Sequence, residues 1–88
     1  MPLEVRWRKK AYAQLQKLPP ALASRIVEKI ERTRNLPDHF LERLEDTVFF
    51  KLRVGKCRVL VDWRKKENTL DILYIEKRSK IYQRFKRR

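Results

Sequence analysis

Gly55 is the only glycine in the chain, and it sits between two runs of alternating residues. Before it, Val48, Phe50, Leu52 and Val54 share one face, with Phe49, Lys51 and Arg53 between them. After it, Cys57, Val59, Val61 and Trp63 share one face, with Arg58, Leu60 and Asp62 between them. A period of two is the signature of a strand with one buried face. A two-residue loop that begins with glycine fits a type II′ hairpin turn. Gly55-Lys56 as that loop puts Val54 opposite Cys57 and Arg53 opposite Arg58. The pair next to the one flanking the turn is the closest kind of cross-strand pair, because it exchanges no hydrogen bonds. Two like charges there cost about 0.2–1 kcal/mol. Lys51 projects from the same side as Arg53. The hairpin must therefore bury one face and present Lys51, Arg53 and Arg58 on the other, where an anionic ligand would relieve the repulsion.

The rest of the chain supplies the cover. Leu3, Val5 and Trp7 alternate with Glu4, Arg6 and Arg8, which reads as a short first strand. From Lys9 the period changes: Ala11, Leu15 and Leu18 form a helical stripe that ends at Pro19-Pro20. Pro20 suits the first turn of a second helix. Its apolar face is Leu22, Ile26 and Ile30 with Ala23 and Val27, and Glu28 and Arg32 form an i,i+4 pair on its wet side. Leu36-Pro37 closes it, since the residue before proline leaves the α region. The stretch 38–47 is either one helical turn or a loop pinned by Phe40, Leu41 and Leu44. Leu70 to Glu76 is a strand rich in β-formers. Ser79 is placed to cap a short last helix carrying Ile81, Tyr82 and Phe85. The order βααβββ(α) makes an α+β fold: a small, mostly antiparallel four-stranded sheet, two helices packed on one face, and an open basic face on the other. Residues 1–88 read as a single domain. No apolar run approaches the ~18 residues of a membrane span and no signal peptide follows Met1, so a cytoplasmic protein that keeps off membranes is expected.

Charge narrows the partner. The chain holds 24 Lys and Arg against 11 Asp and Glu, a formal net charge of +13. The excess is uneven: residues 1–48 carry ten basic and seven acidic groups, and residues 49–88 carry fourteen and four. Thermophile surfaces interleave both signs, whereas this distribution suits a polyanion, above all nucleic acid. A single glycine excludes a glycine-rich phosphate loop. One cysteine excludes an internal disulfide, and with His39 as the single histidine it argues against a zinc site. No cofactor or metal is expected. With the last strand antiparallel to its neighbour, Arg78 falls near Arg58, and Tyr82 one helical turn on overhangs the same surface. Arginine matches phosphate oxygens bidentately, and a phenol stacks on a base or transfers a proton. Periodicity alone makes Tyr82 a core aromatic beside Ile81 and Phe85. Lys56, Lys77, Lys80, Arg84, Lys86, Arg87 and Arg88 extend the basic surface as nucleic-acid contacts.

The segments "FKLRVGKCRVLVDW" and "LDILYIEKRSKIYQRF" resemble the signature of the RelE/ParE toxin superfamily. The shared pattern is an aromatic-basic-x-basic-x-Gly-x-x-Arg hairpin, an apolar strand, and an Arg-x-x-x-Tyr ending. "FLERLEDT" resembles the family's leucine-rich approach to the hairpin, and the order of elements agrees over essentially the whole chain. The RelE branch consists of toxins of type II toxin–antitoxin pairs that cut mRNA in the ribosomal A site and so inhibit translation. The resemblance implies Lys51, Arg53, Arg58, Arg78 and Tyr82 as catalytic positions. The implied reaction is metal-independent attack of a ribose 2′-OH on its own 3′-phosphate. Lys51, or Tyr82 made more acidic by nearby cations, would take the 2′-OH proton. Arg58 and Arg78 would stabilise the phosphorane, and Arg53 would neutralise charge or protonate through a water. The ribosome would orient the mRNA substrate.

The sequence departs from the pattern at three places. Cys57 stands where the family usually has an aromatic, Lys77 where a histidine is common, and Arg53 where some members have lysine. The partners implied are a cognate antitoxin, whose acidic or amphipathic segment covers the basic face, and the ribosome with its mRNA. Two other readings stay open: the ParE branch, which poisons DNA gyrase on the same fold, and a non-catalytic basic module that binds RNA or the ribosome.

Overall fold

The computed structural model describes residues 2–77, so the last helix expected from Ser79, together with Arg78, Lys80, Tyr82, Arg84, Lys86, Arg87 and Arg88, lies outside the described residues, as does the side chain of Lys77. The chain runs β1 (Glu4–Trp7), α1 (Lys9–Gln16), α2 (Pro20–Asn35), α3 (Pro37–Phe40), β2 (Glu42–Arg43), β3 (Phe50–Val54), β4 (Cys57–Arg64) and β5 (Thr69–Lys77). The α+β class is as the alternation implied. The sheet has five strands rather than four, in the order β1-β5-β4-β3-β2, and only the β1–β5 pairing is parallel. The fifth strand is the two-residue β2, inside the stretch that sequence periodicity left undecided. That stretch resolves into both alternatives: one helical turn, then a pinned extended piece with Leu41 and Leu44 buried.

The helices cover one face. Ile26 and Ile30 of α2 and Ala11 of α1 pack with Leu52, Val54, Val59, Val61, Leu70, Ile72 and Ile75. Each large side chain so buried contributes roughly 1.5–3 kcal/mol. Phe50 and Trp63, diagonal across β3 and β4, meet edge to face with centroids 5.4 Å apart. Pro20 occupies the first turn of α2 and Leu36 ends it, as the two prolines foretold. The helix is latched to the first strand by two bonds: Leu3 donates its N–H to the Arg34 carbonyl (3.1 Å), and Arg34 Nε donates to the Leu3 carbonyl (2.8 Å). On its wet side Arg34 pairs with Glu31 at 3.0 Å. The expected Glu28–Arg32 pair does not form among the described residues.

Helix α1 also works at the sheet edge. Strand β1 ends opposite Ile72, which leaves the upper part of β5 without a strand on that side, while β4 pairs it on the other. Gln14 of α1 fills that gap by accepting the Ile75 N–H at 2.7 Å. A polar residue in the helix thereby satisfies a backbone donor that would otherwise be left unpaired in a partly buried place.

Val48 also departs from the pattern. Alternation puts it on the buried face of β3, but the strand starts at Phe50 and Val48 is 66% exposed. A local turn wins over alternation here. Asp46 adopts φ +63°, the Leu44 N–H donates to the Phe49 carbonyl, and the Thr47 hydroxyl accepts the Phe49 N–H. Threonine and aspartate turns of this kind compete with a strand ladder for the same backbone groups.

Candidate functional site

The hairpin forms in the register its single glycine dictated. Gly55 lies at φ +57° while Lys56 stays out of the positive region, the combination a type II′ turn needs. Val54 faces Cys57 and Arg53 faces Arg58. Leu52 and Val54 point under the helices, so Lys51, Arg53 and Arg58 share the opposite face.

That face is not the open basic surface the sequence implied. Leu60, between the core residues Val59 and Val61, points onto it and forms a second small core with Leu44 and Tyr74, flanked by Phe49 and Leu73. Lys10 at the start of α1 lies over the Tyr74 ring, 4.8 Å from its centroid. Two rows of facing residues cross the sheet. One runs Glu42, Lys51, Leu60, Tyr74, and the next runs Arg53, Arg58, Glu76. Arg58 is only 7% exposed, whereas Arg53 and Lys56 are exposed. The side chain of Lys51 is 13% exposed and its Nζ lies 3.6 Å from Glu42 Oε1. The like-charge pair is thus resolved asymmetrically: one guanidinium folds onto the sheet with a carboxylate in register beside it, and the other stays in water. A buried guanidinium needs such company, because an unpaired buried charge is very costly.

A β-bulge decides this arrangement. The β4–β5 register shifts between Leu60 and Val61, so that Leu60 faces Tyr74 and Val61 faces Ile72, with Leu73 left over. Without the extra residue, Ile75 would turn away from the core, and Tyr74 and Glu76 would leave the basic face. Bulges characteristically re-aim side chains in this way. Sequence reasoning missed Tyr74, Glu76 and Glu42 as neighbours of the cations for this reason. Alternation signalled that Tyr74 and Glu76 share a side of β5, but nothing local signalled which side.

At the other end of the same face the charges are reversed. Asp71, 1% exposed, faces Asp62 across the β4–β5 ladder. Arg64 Nε lies 3.2 Å from Asp62 Oδ2 and 3.4 Å from Asp71 Oδ2, and Arg8 Nη1 lies 3.8 Å from Asp71 Oδ2. The Asp62 hydrogen bond and charge, with Asp71 and Glu67 behind them, push the Arg64 pKa up. Two opposed carboxylates are thereby neutralised by the protein's own arginines. His39 meets Phe40 edge to face in α3, with ring centroids 4.7 Å apart. Among the described residues no group of three or more His, Cys, Asp or Glu is arranged to hold a metal ion, and none of the helices is long and apolar enough to cross a membrane.

A helical hairpin lies on one face of a mainly antiparallel sheet, and the Gly-turned hairpin of that sheet carries its cations on the other face. The model of the ParE toxins of type II toxin–antitoxin systems matches residues 5–82, and the chain belongs to this family, within the RelE/ParE superfamily. Among solved structures it resembles the RelBE2 toxin–antitoxin complex of Mycobacterium tuberculosis, at 28% identity and TM-score 0.78, over 89% of this chain and 100% of that one. It also resembles the archaeal RelE–RelB complex of Pyrococcus horikoshii, at 28% identity and TM-score 0.72, over 89% of this chain and 97% of that one. The isolated E. coli RelE toxin shares the fold at 14% identity and TM-score 0.71, over 93% of each chain. No curated protein matches the chain by sequence.

Proposed function

We propose that this toxin is a ribosome-dependent mRNA endonuclease that acts through the hairpin face, cutting A-site codons by attack of a ribose 2′-OH on the adjacent phosphate. The observation that carries the reading is the clustering of Lys51, Arg53 and Arg58 on adjacent positions of β3 and β4, on the face away from the helices. In-register neighbours lie about 4.5–5.5 Å apart, so one phosphate can meet two of these side chains. Arg58, fixed by its burial, is the positioned donor to the equatorial phosphate oxygens, where charge grows in the transition state. Arg53 reaches from solvent and neutralises the approaching backbone. Lys51, held by Glu42, is the described residue placed to accept the 2′-OH proton, once substrate displaces that carboxylate and the ammonium has given up a proton to water. Arg78 and Tyr82 complete the set as a second phosphate clamp and a phenol for stacking or proton transfer. The ribosome supplies the orientation that a set of scattered cations lacks. The solved RelBE complexes pair toxin with antitoxin, and by analogy a cognate antitoxin with an acidic or amphipathic segment shields this face.

One observation favours a second reading. Two of the three described cations are already committed, Arg58 by burial and Lys51 by Glu42, which a gyrase-poisoning toxin with no cleavage chemistry permits. The readings separate when purified toxin is added to programmed ribosomes and, in parallel, to gyrase supercoiling assays. Cuts within A-site codons that Arg58→Ala abolishes and Tyr82→Phe weakens support the endonuclease. Intact mRNA with inhibited supercoiling overturns it in favour of the ParE reading. Intact mRNA and unaffected gyrase leave a non-catalytic RNA- or ribosome-binding module.

A further inference from the structure

A second group of cations lies on the helical side of the same turn. Arg25, Lys29 and Arg32 recur at i, i+4 and i+7 along α2 and therefore line one stripe of that helix. With Glu28 from the helix and Val54 and Gly55 from the β3–β4 turn, they enclose a cleft of about 250 Å³. Arg25 lies flat against the turn: a Cβ added at Gly55 would sit 3.4 Å from its Nη2 and 3.6 Å from its Nη1. These are ordinary contact distances, so the guanidinium packs on the turn as it would on any residue there. Lys29 is partly buried, with its Nζ 5.3 Å from the Phe40 ring centroid, which holds the ammonium at the cleft. Arg25 and Arg32 are exposed, and neither forms an ion pair among the described residues, even with Glu28 one turn away. Three cations and one carboxylate share a concave site with no internal neutralisation.

We propose that this cleft seats the phosphate backbone of single-stranded RNA, held by Arg25, Lys29 and Arg32. Planar guanidiniums matched by a point-charge ammonium suit phosphodiester oxygens. The site is continuous with the hairpin face, because Gly55 belongs both to the cleft and to the turn that carries Arg53, Lys56 and Arg58. A strand lying on the hairpin face and passing over the turn reaches the cleft without leaving the protein. That continuity favours RNA over an acidic peptide. The proposal rests on the reading of the hairpin face as an RNA site, and it adds a point of purchase away from the reacting phosphate.

The test is equilibrium binding, which reads affinity whether or not the protein cuts mRNA. A fluorescent 2′-O-methyl RNA oligonucleotide, resistant to 2′-OH attack, is titrated with the full chain over a range of salt concentrations. The pair Arg25→Gln/Arg32→Gln is compared with Arg6→Gln/Lys66→Gln, which removes the same charge on β1 and in the β4–β5 turn, away from the cleft. Thermal unfolding confirms that each variant folds. The cleft pair is expected to lose at least ~10-fold in affinity at low salt and to reduce the slope of log K against log salt by about 1.4, at ~0.7 per lost single-strand phosphate contact. The control pair is expected to lose much less, and Glu28→Gln to bind more tightly than the parent. Equal losses in both pairs reduce the effect to diffuse charge and overturn the proposal. An unchanged cleft variant, or a parent with no RNA affinity, overturns it as well. Loss of binding to a glutamate-rich peptide with RNA binding intact also overturns it, and assigns the cleft to a protein partner. Absent mRNA cleavage with cleft-dependent RNA binding would sink the endonuclease reading alone.

Discussion

The two ends of the sheet face opposite the helices handle charge in opposite ways. At the β4–β5 turn a buried acid, Asp71, is enclosed by Arg8 and Arg64, and its facing partner Asp62 shares Arg64. At the β3–β4 turn a buried base, Arg58, has one acid in register on one side and a second base, Arg53, on the other. The first end balances its charge from within the chain, as structural ion pairs do. The second keeps an exposed guanidinium beside a buried one, and the turn adds Lys56 in water. The contrast teaches where to look for a ligand: the charge that the fold leaves uncompensated lies at the hairpin, although both ends contain buried ions.

Substitutions at the two ends should therefore fail in different ways. The largest effect is expected at Arg58. Arg58→Ala should lower mRNA cleavage on ribosomes by about 100-fold or more, the scale of removing a positioned donor to transition-state charge. Cleavage per folded molecule should survive Asp71→Ala, so a kinetic loss there would break the distinction. Asp71→Ala should instead destabilise the protein by about 1–3 kcal/mol, since Arg64 and Arg8 lose the acceptor they share; chemical denaturation measures it. Gly55→Ala should cost about 1–2 kcal/mol, because a residue with a Cβ is strained at φ +57°. The added methyl would meet Arg25 Nη2 only at an ordinary contact distance of 3.4 Å, so RNA binding at the cleft should change little. The smallest effect is expected from Glu42→Gln. Its carboxylate is largely exposed, so stability should change by less than about 1 kcal/mol. The released Lys51 should raise RNA affinity measurably, and a fall in affinity would show that Glu42 organises the lysine rather than restraining it.

Much of this architecture was legible in the sequence because it rests on short-range rules. The Gly55 turn, the Arg53–Arg58 pairing, the two prolines that bound α2 and the apolar stripe of Ile26 and Ile30 all follow from local periodicity and backbone chemistry. The misreadings come from effects that span the chain. Val48 alternates correctly but is pulled out of β3 by hydrogen bonds of Thr47 and Leu44. Strand β2 is only two residues long and exists through its pairing with Lys51 and Phe50. The bulge at Leu73 has no local signature, yet it decides that Tyr74 and Glu76 join the basic face and that Ile75 turns into the main core. The cations were thus legible one by one. Their degree of burial, and the acids beside them, depend on register across three strands.

The central claim is that the hairpin face drives a ribose 2′-OH onto its neighbouring phosphate. The most direct measurement uses programmed ribosomes carrying mRNA with a single 2′-deoxynucleotide on the 5′ side of the A-site cut, beside the all-ribose message. A cut is expected only in the all-ribose message, with a 2′,3′-cyclic phosphate on the upstream fragment and a 5′-hydroxyl on the downstream one. Equal cutting of both messages, or none of either, would contradict it.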